Sequence, residues 1–261
     1  MGIFLLFSSK NVLIHPMKGY PNMALYVIAD LHLDIKNNEK SMDIFGNRWK
    51  GYVSKIEKNW NHLVTENDTV IIPGDISWAL NLKDAEYDLK WIDSLTGKKI
   101  ILKGNHDFWW ATNSKMQNFL KENNISSINI LNNNAFEVGN YIICGSRGWF
   151  TDRSMQTASQ DVDYSKIINR EVIRLRMSLE SAVKLKGISD KEILAFLHFP
   201  PVWGEFRCDE ILQLLGEYNI KRCYFGHIHS TYNIPSTFYF SDIEFKLISA
   251  DFIEFIPQFI G

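Results

Sequence analysis

The sequence predicts an α/β fold built from parallel βαβ units, and three observations predict it. Short apolar runs of strand length alternate with longer segments whose apolar residues recur at helical spacing. Gly, Pro and Asn punctuate the junctions. Asp, Asn and His stand directly behind the strand-like runs, at the strand C-terminal ends where sheets of this kind place their sites.

The elements follow in order. Leu25-Tyr26-Val27-Ile28-Ala29 is a buried-type strand that ends at Asp30. Trp49, Val53, Ile56, Trp60 and Leu63 form one apolar helical stripe. Thr69-Val70-Ile71-Ile72 is the second strand, closed by Pro73-Gly74. Asn81 is placed to cap a helix that turns Leu82, Ala85, Leu89 and Ile92 inward. Lys99-Ile100-Ile101-Leu102 is the third strand, and a helix is expected over 112–121. Residues 127–131 and 135–144 read as short antiparallel strands joined at Asn132-Asn133-Asn134. A polar stretch over 151–163 precedes a long helix over 164–186, which reads equally as a cover for the site or as a surface helix. Strands at 192–197 and 221–225 lead to His198 and Gly226, and 237–255 has alternating strand-like pieces.

At 261 residues, 46% hydrophobic and 22% charged, the chain has enough apolar surface for one large core. No repeat or linker divides it, so 23–261 reads as a single domain. Residues 1–22 read as an N-terminal extension: an upstream start, a tag remnant or an extra surface segment. Ile3-Phe4-Leu5-Leu6-Phe7 is too short to span a bilayer and lacks the basic flank of a secretory signal. Three cysteines in no metal-ligand spacing fit a reducing, cytoplasmic setting. The net charge of −2 offers no field for duplex nucleic acid or acidic membranes.

Five strings carry the chemistry: Asp30-Leu31-His32, Gly74-Asp75, Gly104-Asn105-His106-Asp107, His198, and Gly226-His227-Ile228-His229. They hold five of the seven histidines; His15, in the extension, and His62, within the stripe-bearing helix, read as ordinary. Taken singly, Gly74-Asp75 is a turn and His198 a core histidine. The ordered set instead supplies the oxygen and imidazole ligands of a two-metal hydrolytic site. Two ions about 3.5–4 Å apart share a hydroxide and grip a phosphoryl group, and one carboxylate reaching both would hold that spacing.

These strings resemble the motifs of the calcineurin-like metallophosphoesterase superfamily, D-x-H, G-D, G-N-H-[DE], H and G-H-x-H. The resemblance runs from residue 25 to about 230. Gly74-Asp75-Ile76-Ser77-Trp78 and Leu197-His198-Phe199-Pro200-Pro201 are similar to strings of its small bacterial predicted phosphohydrolases. The resemblance implies a four-layer αββα sandwich with central mixed sheets. It implies that Asp30, His32 and His229 bind one divalent ion, that Asn105, His198 and His227 bind a second, and that Asp75 bridges both. His106 would be the general acid or a hydrogen-bond donor to the transition state, and Asp107 would orient its loop. Manganese, iron or zinc suits such mixed ligands.

Departures narrow the substrate. Protein phosphatases of the superfamily carry an Asp that orients the catalytic His where this chain has Trp78, and an Arg before the third motif where it has Lys103. Lipid-precursor pyrophosphohydrolases usually lack the counterpart of His106. Trp78, Phe108, Trp109, Trp110 and Trp149 either stack on a planar leaving group or pack the loops that carry the ligands. Arg147, between glycines at 145 and 148, either contacts phosphate or stands exposed without a role. The reading is hydrolysis of small phosphomonoesters or phosphodiesters. Nucleotide or nuclease activity is the alternative, and a non-catalytic scaffold, which would be expected to have lost ligands, is a third reading.

Overall fold

A computed structural model describes residues 23–36, 39–150 and 164–261. The extension over 1–22 and the polar stretch over 151–163 lie outside the described residues. The strands are β1 (Leu25–Val27), β2 (Thr69–Pro73), β3 (Lys98–Leu102), β4 (Ile128–Ile130), β5 (Phe136–Val138), β6 (Tyr141–Ser146), β7 (Glu192–Leu197), β8 (Val202–Trp203), β9 (Phe206–Arg207), β10 (Arg222–Phe225), β11 (Thr237–Phe240), β12 (Ile243–Leu247) and β13 (Gln258–Phe259). The helices are α1 (Tyr52–Leu63), α2 (Glu86–Ser94), α3 (Asn113–Glu122), α4 (Tyr164–Lys186) and α5 (Asp209–Glu217).

Two mixed sheets lie face to face. The first has order β13-β1-β2-β3-β4 and is parallel except for β13; the second has order β11-β12-β10-β7-β6-β5 and is parallel except at its edges, β11 and β5. Side-chain alternation explains the layering. Val70 and Ile72 of β2 face α1 and α2, while Ile71 faces the second sheet. Ala195 and Leu197 of β7 face α4 and α5, while Leu194 and Phe196 face the first sheet. Strands apolar on both faces give the continuous apolar runs of the sequence. The product is the αββα arrangement, mixed α/β with helices on both outer faces.

Several expected elements differ. Helix α1 starts at Tyr52, with Trp49 in the preceding turn, because Gly51 takes a left-handed φ of 62°. Helix α2 starts at Glu86; the Asn81 side chain accepts from Asp84 N (3.1 Å) and closes a turn over 81–84. β4 is not paired with β5 or β6. It joins β3 in parallel, and the Asn132–Asn134 loop crosses from one sheet to the other. Residues 251–255 form turns, after which β13 returns to β1. Cys144, Cys208 and Cys223 are free and buried. Among the described residues, no helix is long and apolar enough to cross a membrane.

Candidate metal centre

The parallel strands of both sheets end at one edge, and their backbones are stitched together there. Asp30 N donates to Gly74 O (3.0 Å), His32 N to Asp75 O (2.9 Å) and Gly226 N to His198 O (3.1 Å). Ala29 bridges to Ser249, so β1 meets the end of β12 and the two sheets converge. Turning each chain sharply behind its strand puts non-glycine residues in the left-handed region: Asp30 at φ 60°, His32 at 46°, Asp75 at 49° and His227 at 71°. Such strain, about 1–3 kcal/mol each, persists where surrounding structure enforces it and clusters at functional sites. Two motif glycines are needed for close approach. A Cβ at Gly104 would collide with Asp75 Oδ1, and one at Gly226 would lie 2.5 Å from Asp30 Oδ2.

Two groups of ligand-type atoms result, each within 4.8 Å: Asp30, His32 and His229, and Asp75, His198 and His227. His32 Nε2 and His229 Nε2 face each other at 3.2 Å. His198 Nε2 meets Asn105 Oδ1 at 2.6 Å, while its Nδ1 lies 3.2 Å from the Pro73 carbonyl. Asp75 Oδ1 accepts from His106 N (2.8 Å). Its Oδ2 is buried without a hydrogen-bond partner among the described residues and lies 3.7 Å from His32 Nε2 and 3.5 Å from His198 Nε2. A carboxylate oxygen open between two groups of nitrogen donors fits a shared cation.

The electrostatics agree with that fit. Burial, partly offset by His229, pushes the Asp30 carboxyl up to about 8, and burial also raises Asp75. Burial and then the neighbouring imidazoles hold His32 well below its usual value and His227 down to about 2; burial likewise lowers His198. His229 is the exception. Burial would lower it, but the hydrogen bond to Asp251 and the charge of Asp30 carry it up to about 9. Neutral imidazoles and crowded carboxylates are the protonation states and the charge that divalent cations require and relieve.

The remaining expected residues fall in three places. Trp78 stacks on His32 (4.8 Å, 24°) and tilts against His106 (4.5 Å), so an indole ring stands beside that histidine. Trp109 is buried, and its Nε1 donates to Asp107 Oδ1 (3.0 Å); substrate contact is closed to it. Asp107 also accepts from Ile76 N, Ser77 N and Gly104 N, tying the second and third motif loops together. Lys103 and Arg147 line a neighbouring cavity.

Sequence reasoning missed Asp251, Trp49 and Phe150. Asp251 Oδ1 accepts from His229 Nδ1 (2.8 Å), and its Oδ2 accepts from Ser230 N and Tyr232 Oη. Trp49 packs edge-on to His32 and lies 5.7 Å from His229, while Phe150 packs against His227. Both aromatics buttress candidate ligands through edge-to-face ring contacts, and neither carries a motif signal.

Residues 23–231 match a family model described as calcineurin-like phosphoesterase. No curated protein sequence matches the chain. Among solved structures, the chain is similar to the phosphopantetheinyl hydrolase PptH from Mycobacterium tuberculosis, with a TM-score of 0.51, 13% identity, and 92% of this chain and 96% of that one covered. It is also similar to TT1561 of Thermus thermophilus, with a TM-score of 0.56, 10% identity, and 88% and 90% covered. At these identities the likeness is one of fold.

Proposed function

We propose that this chain, which belongs to the calcineurin-like phosphoesterase family, is a dinuclear metal hydrolase of small phosphomonoesters or phosphodiesters. The observation that carries the reading is Asp75 Oδ2, without a hydrogen-bond partner among the described residues and close to the imidazoles of both donor groups. Asp30, His32 and His229 would hold one ion, Asn105, His198 and His227 the other, and Asp75 both. When bound, divalent ions lower the pKa of water and neutralise charge building on the phosphoryl oxygens.

The chain's own groups supply the rest. His106, anchored through its backbone to Asp75 and held by the Trp78 ring, is the proton or hydrogen-bond donor to the leaving oxygen. Asp107 fixes the loop that presents it. Phe108 is exposed with its ring 6.4 Å from that of His106, which offers a stacking face for a planar leaving group and favours a nucleotide among small substrates. Manganese is the first ion to try.

Hydrolysis of p-nitrophenyl phosphate and bis-p-nitrophenyl phosphate, with manganese and then with EDTA, tests the reading. Metal-dependent turnover of either ester is expected, and the preferred ester separates monoesterase from diesterase. His106→Ala should lower kcat by about 10²–10⁴-fold with two ions still bound. A protein that binds no metal and turns over neither ester would overturn the proposal.

A further inference from the structure

We infer that the enzyme carries a second phosphate-binding pocket beside the metal centre, so that its preferred substrates bear a second phosphoryl group. This rests on the phosphohydrolase reading and deepens it. A cavity of about 550 Å³ opens between the ends of β3 and β6 and the flanks of α3 and α4. Lys103, Lys115, Arg147 and Arg174 line it against one acid, Glu171, so its wall has a clear excess of positive charge.

Glu171 is the organising group. Its side chain is only 1% exposed, and its Oε1 accepts from Arg174 Nη1 (2.6 Å) and Arg147 Nη2 (3.2 Å). One buried carboxylate therefore holds two guanidinium groups side by side and neutralises one charge of the pair. The arrangement is also incompletely paired. Glu171 Oε2 and Arg147 Nε are buried without hydrogen-bond partners among the described residues. An ion pair serving stability alone would close such groups, because each costs free energy if left unmade. A phosphoryl group accepts from the guanidinium fork, and a donor on the ligand beside it meets Glu171.

The pocket adjoins the metal loops. Lys103 precedes Gly104, whose backbone abuts Asp75. The Arg147 carbonyl accepts from Phe199 N (2.8 Å), one residue after His198, and the Arg147 guanidinium lies 5.8 Å from the Phe199 ring. A substrate with its scissile ester at the metals thus has a cationic recess next to it.

The test uses a double variant, Lys115→Gln with Arg174→Gln, two exposed positions outside the metal-binding set. Calorimetric binding of inorganic pyrophosphate in EDTA should be at least about tenfold weaker in the variant than in the native protein. With manganese, native kcat/KM for adenosine 3′,5′-bisphosphate should exceed that for adenosine 5′-monophosphate at least about tenfold, and the variant should lose that advantage through KM. Hydrolysis of p-nitrophenyl phosphate should be unchanged. Equal pyrophosphate binding by both proteins overturns the pocket even where p-nitrophenyl phosphate is hydrolysed. Weakened pyrophosphate binding with no ester hydrolysis leaves the pocket standing and removes the hydrolase reading instead.

Discussion

The two donor groups meet at Asp75, a member of the second whose Oδ2 lies 3.7 Å from His32 Nε2 of the first, yet they are built differently. Asp30, His32 and His229 are backed by a second carboxylate, Asp251, and by the Trp49 ring. Asp75, His198 and His227 are backed by the Pro73 carbonyl and by the rings of Phe150 and Phe199. The Asp30 carboxylate reaches both groups, accepting from His227 N (3.0 Å) and lying 3.6 Å from His198 Nδ1, but only the first has a further carboxylate, Asp251, hydrogen-bonded to one of its imidazoles. Ions held there would differ in affinity and in pH response although their ligands are similar, because the outer partners set ligand basicity.

The largest effect comes from removing the carboxylate proposed to serve both ions. Asp75→Asn keeps the acceptor for His106 N but withdraws the charge from both sides. Loss of both ions is expected, with kcat down roughly a thousandfold or more, read by metal analysis of the purified variant beside its turnover. Retention of one ion at full occupancy would show that the groups are independent. Asp251→Asn should act on one side only. Its amide oxygen can still accept from His229 Nδ1, but the charge is lost, so affinity for the first ion should fall about 10–100-fold. Competition titration with a chromogenic chelator resolves the two sites. Equal weakening of both ions would end the proposed asymmetry.

How much of this was legible in the sequence depended on whether a residue's role is local. The strands beneath the motifs were legible because burial on both faces leaves an uninterrupted apolar run, and α4 because its pattern spans 164–186 without a breaker. β4 was misassigned because three residues with alternate burial carry no record of which neighbour they pair with. The ligand-type residues stood out because each follows its own strand end, and five such strings in order are hard to produce by chance. Asp251 had no such string. It lies 22 residues beyond His229 in a run of turns, and only the convergence of β1 with the end of β12 brings it back. Trp109 was open in the sequence between stacking on a leaving group and packing its loop, and only the buried indole, with its N–H committed to Asp107, selects packing.

The smallest effect is also the sharpest test of the comparison. Against burial, Asp251 and Asp30 raise His229 to about 9, and burial raises Asp30 to about 8 against the opposing pull of His229, so protons compete with an entering ion at the first group below pH 8. An ion entering the first group must displace them, so its affinity should weaken as pH falls from 8 to 6. His198 and His227, lowered by burial, already present free lone pairs over that range. Affinity at the second group should therefore stay nearly flat once Asp75, raised by burial and proposed to serve both ions, has been engaged by whichever ion binds first. Calorimetry in buffers of different ionisation enthalpy counts the protons released at each step. Release confined to one step would match a centre with one charged half and one neutral half. Equal release at both steps would mean that the Asp251 hydrogen bond does not distinguish the groups, and that the shared carboxylate governs them together.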